Sequence, residues 1–170
     1  MEQKTQEQGW SADGYIIDQD CFTTLRYRTM QASINGCGPM AAFNLLHFLG
    51  RDLPLEVILA DMDARHLLHA PGPTSVRVMR AFLRDAAPEL REASGREEAL
   101  ALAGRSRAGI FRYQEGRVPH FISYIRQEEG DFRFFNVDDG LEDCRMSMER
   151  FGAEHLRGGL VIVFALPKFS

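Results

Sequence analysis

Gln31-Ala-Ser-Ile-Asn-Gly-Cys-Gly-Pro-Met-Ala-Ala-Phe-Asn-Leu-Leu-His-Phe-Leu-Gly50 delivers a cysteine to the start of an amphipathic helix, and the 170-residue chain is organised around it. Gly36 and Gly38 allow backbone angles and close approaches that a Cβ resists. Pro39 suits a first helical turn, where its missing N–H would have had no partner. From Met40 onward, Phe43, Leu46 and the pair Leu45/Leu49 recur at helical spacing, and Gly50 supplies a stop. A helix N-terminus carries partial positive charge and unpaired N–H groups, which favour a thiolate over a thiol. Cys37 is therefore a candidate nucleophile, set against the plainer reading of a small buried apolar side chain.

Three further features raise the first reading above the second. Gln31 stands six positions before Cys37, where a side-chain amide can reach back toward an oxyanion. His120 lies near the start of Val118-Pro-His-Phe-Ile-Ser-Tyr-Ile-Arg126, which alternates as a strand with His120, Ile122 and Tyr124 on one face. Glu128-Glu-Gly-Asp131 reads as a hairpin turn, and Phe132 to Val137 as the antiparallel return. Asn136 and Asp138 then sit beside His120 and, with a strand period of two, share a face. Either one can orient the imidazole; spacing alone does not choose between them. Nucleophile, base, orienter and oxyanion donor in this order follow the logic of a cysteine hydrolase.

Composition sets the bounds. The length suits one domain with a sizeable core. A formal net charge of −4 leaves no basic footprint, so nucleic acid is not an expected partner. The longest apolar run, Leu160 to Leu166, is strand-sized and too short to cross a membrane. The polar start Met1-Glu-Gln-Lys lacks an apolar signal core, which points to a cytoplasmic protein. Cys21, Cys37 and Cys144 show no metal spacing, and a reducing compartment is the simpler reading. Cys21 has no helix start or base nearby and is read as structural, and Cys144 as a bystander. His66 and His69 lack a partner carboxylate or cysteine at ligand spacing, so no metal or cofactor is expected.

Residues 1–14 read as a loose arm that Trp10 pins to the body. Residues 15–108 form a mainly helical lobe. It includes a helix from about Leu53 with Pro54 in its first turn, and one capped by Thr74 or Ser75 that ends before Pro88. Residues 88–108, with Glu97 to Ala103 helical, read as a solvated outer helix and its linkers. From residue 109 the pattern turns to alternation, which gives a sheet lobe over 109–170. Within it Ser147 caps a short helix through Phe151, and Leu160–Leu166 is the last strand.

The order of these pieces resembles the papain-like cysteine peptidases, and within them the bacterial branch of bacteriocin-leader peptidase domains and their stand-alone relatives. The resemblance spans about Gln31 to Leu166. It rests on Gln31 to Cys37 with the following Gly-Pro, Gly72-Pro-Thr-Ser75, Pro119-His-Phe-Ile-Ser123, Asn136-Val-Asp-Asp-Gly140, and Ser147, Phe151 and Gly158-Gly-Leu-Val-Ile162. It implies an α+β fold in which an N-terminal helical lobe packs against a C-terminal antiparallel sheet, with the active site in the cleft between them. It also implies Asp138 as the orienter, although Asp139 stands where that branch usually has proline. The expected activity is hydrolysis of a peptide or amide bond in a peptide or extended protein segment. The alternative is a catalytically silent papain-like module that only binds a peptide or protein. The sequence does not indicate an oligomeric state.

Overall fold

The sequence folds around an antiparallel sheet with helices on both faces. The computed structural model describes residues 4–128, 130–137 and 141–168. In chain order the helices are α1 (Ala32–Asn35), α2 (Cys37–Phe48), α3 (Leu55–Arg65), α4 (Val76–Ala86), α5 (Arg96–Gly104) and α6 (Met148–His155). The strands are β1 (Arg26–Tyr27), β2 (Met30–Gln31), β3 (Arg91–Ser94), β4 (Ser106–Glu115), β5 (Val118–Arg126), β6 (Phe132–Phe135), β7 (Cys144–Met146) and β8 (Ile162–Pro167). β1 and β2 pair with each other. The rest form one sheet in the order β3-β8-β4-β5-β6-β7, antiparallel at every step.

Strand alternation splits the core into two layers. Ile110, Phe121 and Phe164 face α2, α3 and α4, where they meet Met40, Leu45, Ile58, Met62, Met79 and Phe82. Their sequence neighbours Phe111, Ile122 and Val163 face the other way, onto Ala99 and Ala103 of α5 and Phe151 of α6. A sheet covered on both faces has nearly continuous apolar strands, as these are. The covering also corrects the reading of 88–108. Ala99 and Ala103 are fully buried, so α5 seals the far face of the sheet rather than standing outside in solvent.

Local chemistry fixes the ends of the elements. α2 ends before Gly50, which takes φ +70. Ser75 accepts from the Val78 N–H and Ser147 from the Arg150 N–H, so each caps its helix as expected. β4 and β5 turn on Gly116-Arg117, with Gly116 at φ +64 and Glu115 opposite Val118. That short turn fixes the register that places Tyr113 opposite His120.

Residues 4–14 are held at several points rather than loosely. Trp10 packs edge-on against Phe22 and Phe43, and the Ile17 N–H donates to the Gly9 carbonyl at 2.8 Å. Asp13 forms a two-pronged ion pair with Arg133 of β6, at 2.6 and 3.1 Å. The Arg133 guanidinium also lies over the Phe135 ring, 4.8 Å from its centroid. Burial of such a charge requires this degree of pairing.

Candidate active site

Cys37 is the first residue of α2 and is nearly buried. Two close packings set its position. A Cβ on Gly38 would overlap the Thr74 side chain, and one on Gly36 would collide with the Ala32 carbonyl oxygen. Here glycine serves contact, since Gly36 takes an ordinary φ of −83. Thr74 is held in turn by the Tyr27 hydroxyl at 2.7 Å, which also meets His66 Nε2 at 3.1 Å. Burial depresses the His66 pKa, the nearby Arg28 charge depresses it further, and the ring serves this packing. Among the described residues, nothing accepts from the Cys37 backbone N–H.

A second rung sets the register of helix against strand. Asn44 is buried on α2, and its Nδ2 donates to Ser123 Oγ on β5 at 3.0 Å and to the Ile16 carbonyl at 2.9 Å. Its Oδ1 accepts from the Ile16 N–H at 2.8 Å. Seven residues of helix from Cys37 to Asn44 rise about 10.5 Å. Three residues of strand from His120 to Ser123 span about 10 Å. The Asn44–Ser123 rung ties α2 to β5, the two elements that carry Cys37 and His120, and the lengths from the rung to each are similar.

His120 is half-buried, edge-on to Tyr113 with ring centroids 5.6 Å apart. Its Nε2 lies 3.2 Å from the Asn136 carbonyl oxygen. A carbonyl only accepts, so Nε2 carries the hydrogen and Nδ1 is the basic nitrogen of the neutral ring. The Cys37 side chain lines the same cleft and acts on the ring, favouring its protonated form. Burial works against a charge on the ring. The Cys37 sulfur, the Asn136 carbonyl and the Glu115 carboxylate outweigh it, and the His120 pKa rises above the ordinary value.

Cys37 and His120 open onto a cleft of about 630 Å³ lined also by Gln19, Met30, Ile34, Asn35, Val118 and Asn136. Asp18, Asp20 and Glu115 add carboxylates to its walls. Asn35 braces one wall, where its Nδ2 donates to the Tyr27 and Gly72 carbonyls at 3.0 Å each.

The other expected members fare differently. Gln31 is exposed at the start of α1 and does not line the cleft; its Oε1 accepts from Ser33 Oγ at 3.4 Å. The six-residue spacing to Cys37 is spent on the turn of α1, which carries the Gln31 side chain outward. Asn136 reaches His120, yet through its main chain rather than its amide. Asp138 lies outside the described residues, as do Asp139 and Gly140. Burial and the neighbouring Asp18 push the Cys21 thiol up to about 11, which suits a structural role. Cys144 is buried on β7, away from the cleft lining. Among the described residues no cluster of His, Cys, Asp and Glu is placed to hold a metal ion. Nor is any helix there long and apolar enough to cross a membrane. Sequence reasoning missed Gln19 and Asn44, buried or half-buried amides that no motif marks.

The fold is the papain-like one. It is shared with the crystal structure of the peptidase domain of Streptococcus ComA, a bi-functional ABC transporter involved in a quorum sensing pathway. That likeness has a TM-score of 0.54 and 16% sequence identity, and it covers 78% of this chain and 92% of the other. No family model and no curated protein matches the chain. At this identity the likeness speaks for the fold, and the chemistry must be argued from the residues of this chain.

Proposed function

We propose that this chain is a cysteine peptidase that uses Cys37 as nucleophile and His120 as base. The observation that carries the reading is the juxtaposition of Cys37, at a helix N-terminus, with an imidazole whose Nε2 is engaged by the Asn136 carbonyl. Nδ1 takes the thiol proton as Sγ attacks the substrate carbonyl, and the oxyanion forms beside the Cys37 N–H. The imidazolium then protonates the leaving amine, which departs and leaves a thioester. Water attacks the thioester as the same nitrogen takes its proton. Collapse releases the carboxylic acid and restores the thiol. Asp138, as the resemblance implies, remains a candidate second partner of the His120 ring.

The cleft walls suggest the substrate. Met30, Ile34, Pro73 and Val118 offer apolar contact, while Asp20 and Glu115 supply negative charge, Asp18 being paired with Lys4 at 2.7 Å; no Lys or Arg is among the described lining residues. A peptide segment with apolar side chains and a flanking Lys or Arg complements such walls. The test is incubation with degenerate peptide pools, with products read by mass spectrometry. Cleavage should be enriched near Lys or Arg and fall at least about a thousandfold in Cys37→Ala and His120→Ala. Cleavage that survives Cys37→Ala would contradict the proposal. Peptides retained uncut by the unaltered chain would put the silent binding module in its place.

A further inference from the structure

The carbonyl that engages His120 belongs to a residue in an unusual backbone conformation. Asn136 takes φ +62, in the left-handed region that side-chain-bearing residues rarely adopt, though asparagine adopts it more readily than most. That conformation aims its carbonyl at His120, and Gln19 holds it in place. The Gln19 backbone N–H donates to Asn136 Oδ1 at 2.9 Å, and Asn136 Nδ2 donates back to Gln19 Oε1 at 2.9 Å. The remaining donor, Gln19 Nε2, reaches the Ser33 carbonyl at 3.0 Å. Ser33 lies in α1, the turn that leads into Cys37. One side chain is thus bonded both to the turn that presents the nucleophile and to the turn that orients the base.

We propose that Gln19 is a positioning residue, a clamp that sets the His120 tautomer through the main-chain carbonyl of Asn136 and holds that turn against the Cys37 turn. Its catalytic consequence rests on the peptidase reading above. Both polar atoms of the Asn136 amide bond to Gln19, and the contact with the imidazole comes from the Asn136 main-chain carbonyl. Gln19 lines the cleft wall together with Cys37 and His120, and its side-chain hydrogen bonds go to Ser33 and Asn136.

The test uses the full chain with ¹⁵N-labelled histidine, in the unaltered form and as Gln19→Ala, Asn136→Gly, the double variant and Gln19→Glu. Two quantities are read: the His120 tautomer and titration by NMR, and the rate of Cys37 alkylation at pH 6. The unaltered chain should hold His120 with hydrogen on Nε2. Gln19→Ala should mix the tautomers and slow alkylation about five- to tenfold, the ratio that one ordinary net hydrogen bond gives. Gln19→Ala and Asn136→Gly both remove the Asn136 Nδ2 to Gln19 Oε1 bond, so their effects on the tautomer should overlap and the double variant should lose less than the sum of the single ones. Gln19→Glu keeps the acceptor for Asn136 Nδ2 and should retain the tautomer, which keeps the test open if Gln19→Ala fails to fold. An unchanged tautomer in Gln19→Ala or Asn136→Gly, or losses that add in the double variant, would overturn the clamp. If the tautomer follows Gln19 while Cys37 alkylates no faster than Cys21, the clamp stands and the peptidase reading falls.

Discussion

Replacing Asn44 removes three hydrogen bonds at once and leaves their partners without water. Ile16 is fully buried and Ser123 is 2% exposed, so neither the Ile16 N–H nor its carbonyl has solvent to turn to. An orphaned buried donor or acceptor costs about 1–3 kcal/mol. Two such backbone groups, with the Ser123 hydroxyl counted lightly because it can rotate, put the loss near 3 kcal/mol. That is a large share of the ~5–15 kcal/mol by which domains are stable. At about 2–4 °C per kcal/mol for a chain of this size, the melting temperature should fall by about 10 °C. Asn44→Leu fills nearly the same space, so it should lose about as much, because the cost lies in the orphaned groups and not in a cavity. Guanidinium unfolding of Asn44→Ala and Asn44→Leu measures both losses, with an unchanged m-value as the check that the transition is the same. A loss below about 1 kcal/mol in Asn44→Leu would refute the reasoning. It would mean that the helix-to-strand register does not depend on this rung.

Two other perturbations follow from the same geometry. Gly38→Ala places a methyl group into the Thr74 side chain, so it should cost about 1–3 kcal/mol. It should also slow Cys37 alkylation by displacing the α2 N-terminus; a stable variant with unchanged alkylation would show that the contact relaxes freely. Asp13 is held down to about 2, first by its hydrogen bond from Arg133, so its folded pKa lies below its unfolded value. Its contribution is therefore present above about pH 4 and lost as the pH falls toward 2. Because Asp13 is half exposed, the contribution is discounted for solvent screening. Asp13→Asn should flatten the acid limb of the stability profile over that window, and equal slopes in variant and parent would contradict the ion pair.

Elements that carry their own local signals were legible in the sequence. α2 announces itself through Pro39, its apolar spacing and Gly50, and the Ser75 and Ser147 caps are local chemistry that tertiary structure had no reason to override. The β5–β6 hairpin was legible for the same reason: alternation on both arms and a turn between them. β3 was not, because Arg91-Glu-Ala-Ser94 has no apolar alternation and is a strand only through its pairing with β8. β7 has three residues, too few for a period to show. At the site, Cys37 and His120 stood out because their chemistry is rare in such positions. Gln31 is marked by its spacing to Cys37 and by the resemblance that includes it, and neither carries information on the outward turn of α1. Gln19 and Asn44 act through partners up to 117 positions away in the chain, and nothing local distinguishes an amide that will be buried and bonded from one that will face water. The orienting carbonyl of Asn136 was invisible for a deeper reason. Every residue has a carbonyl, and only the backbone conformation decides where it points.

The central claim is that Cys37 and His120 work as a pair, and alkylation with iodoacetamide across pH 4 to 9 tests it most directly. Each cysteine is read by mass spectrometry, for the unaltered chain and for His120→Ala, with the structural thiol Cys21 as the internal comparison. The account predicts that Cys37 is alkylated well below pH 7, when Cys21 is inert, and that His120→Ala abolishes this acid-side reactivity. Cys37 reacting no faster than Cys21, or equally fast without His120, would contradict it.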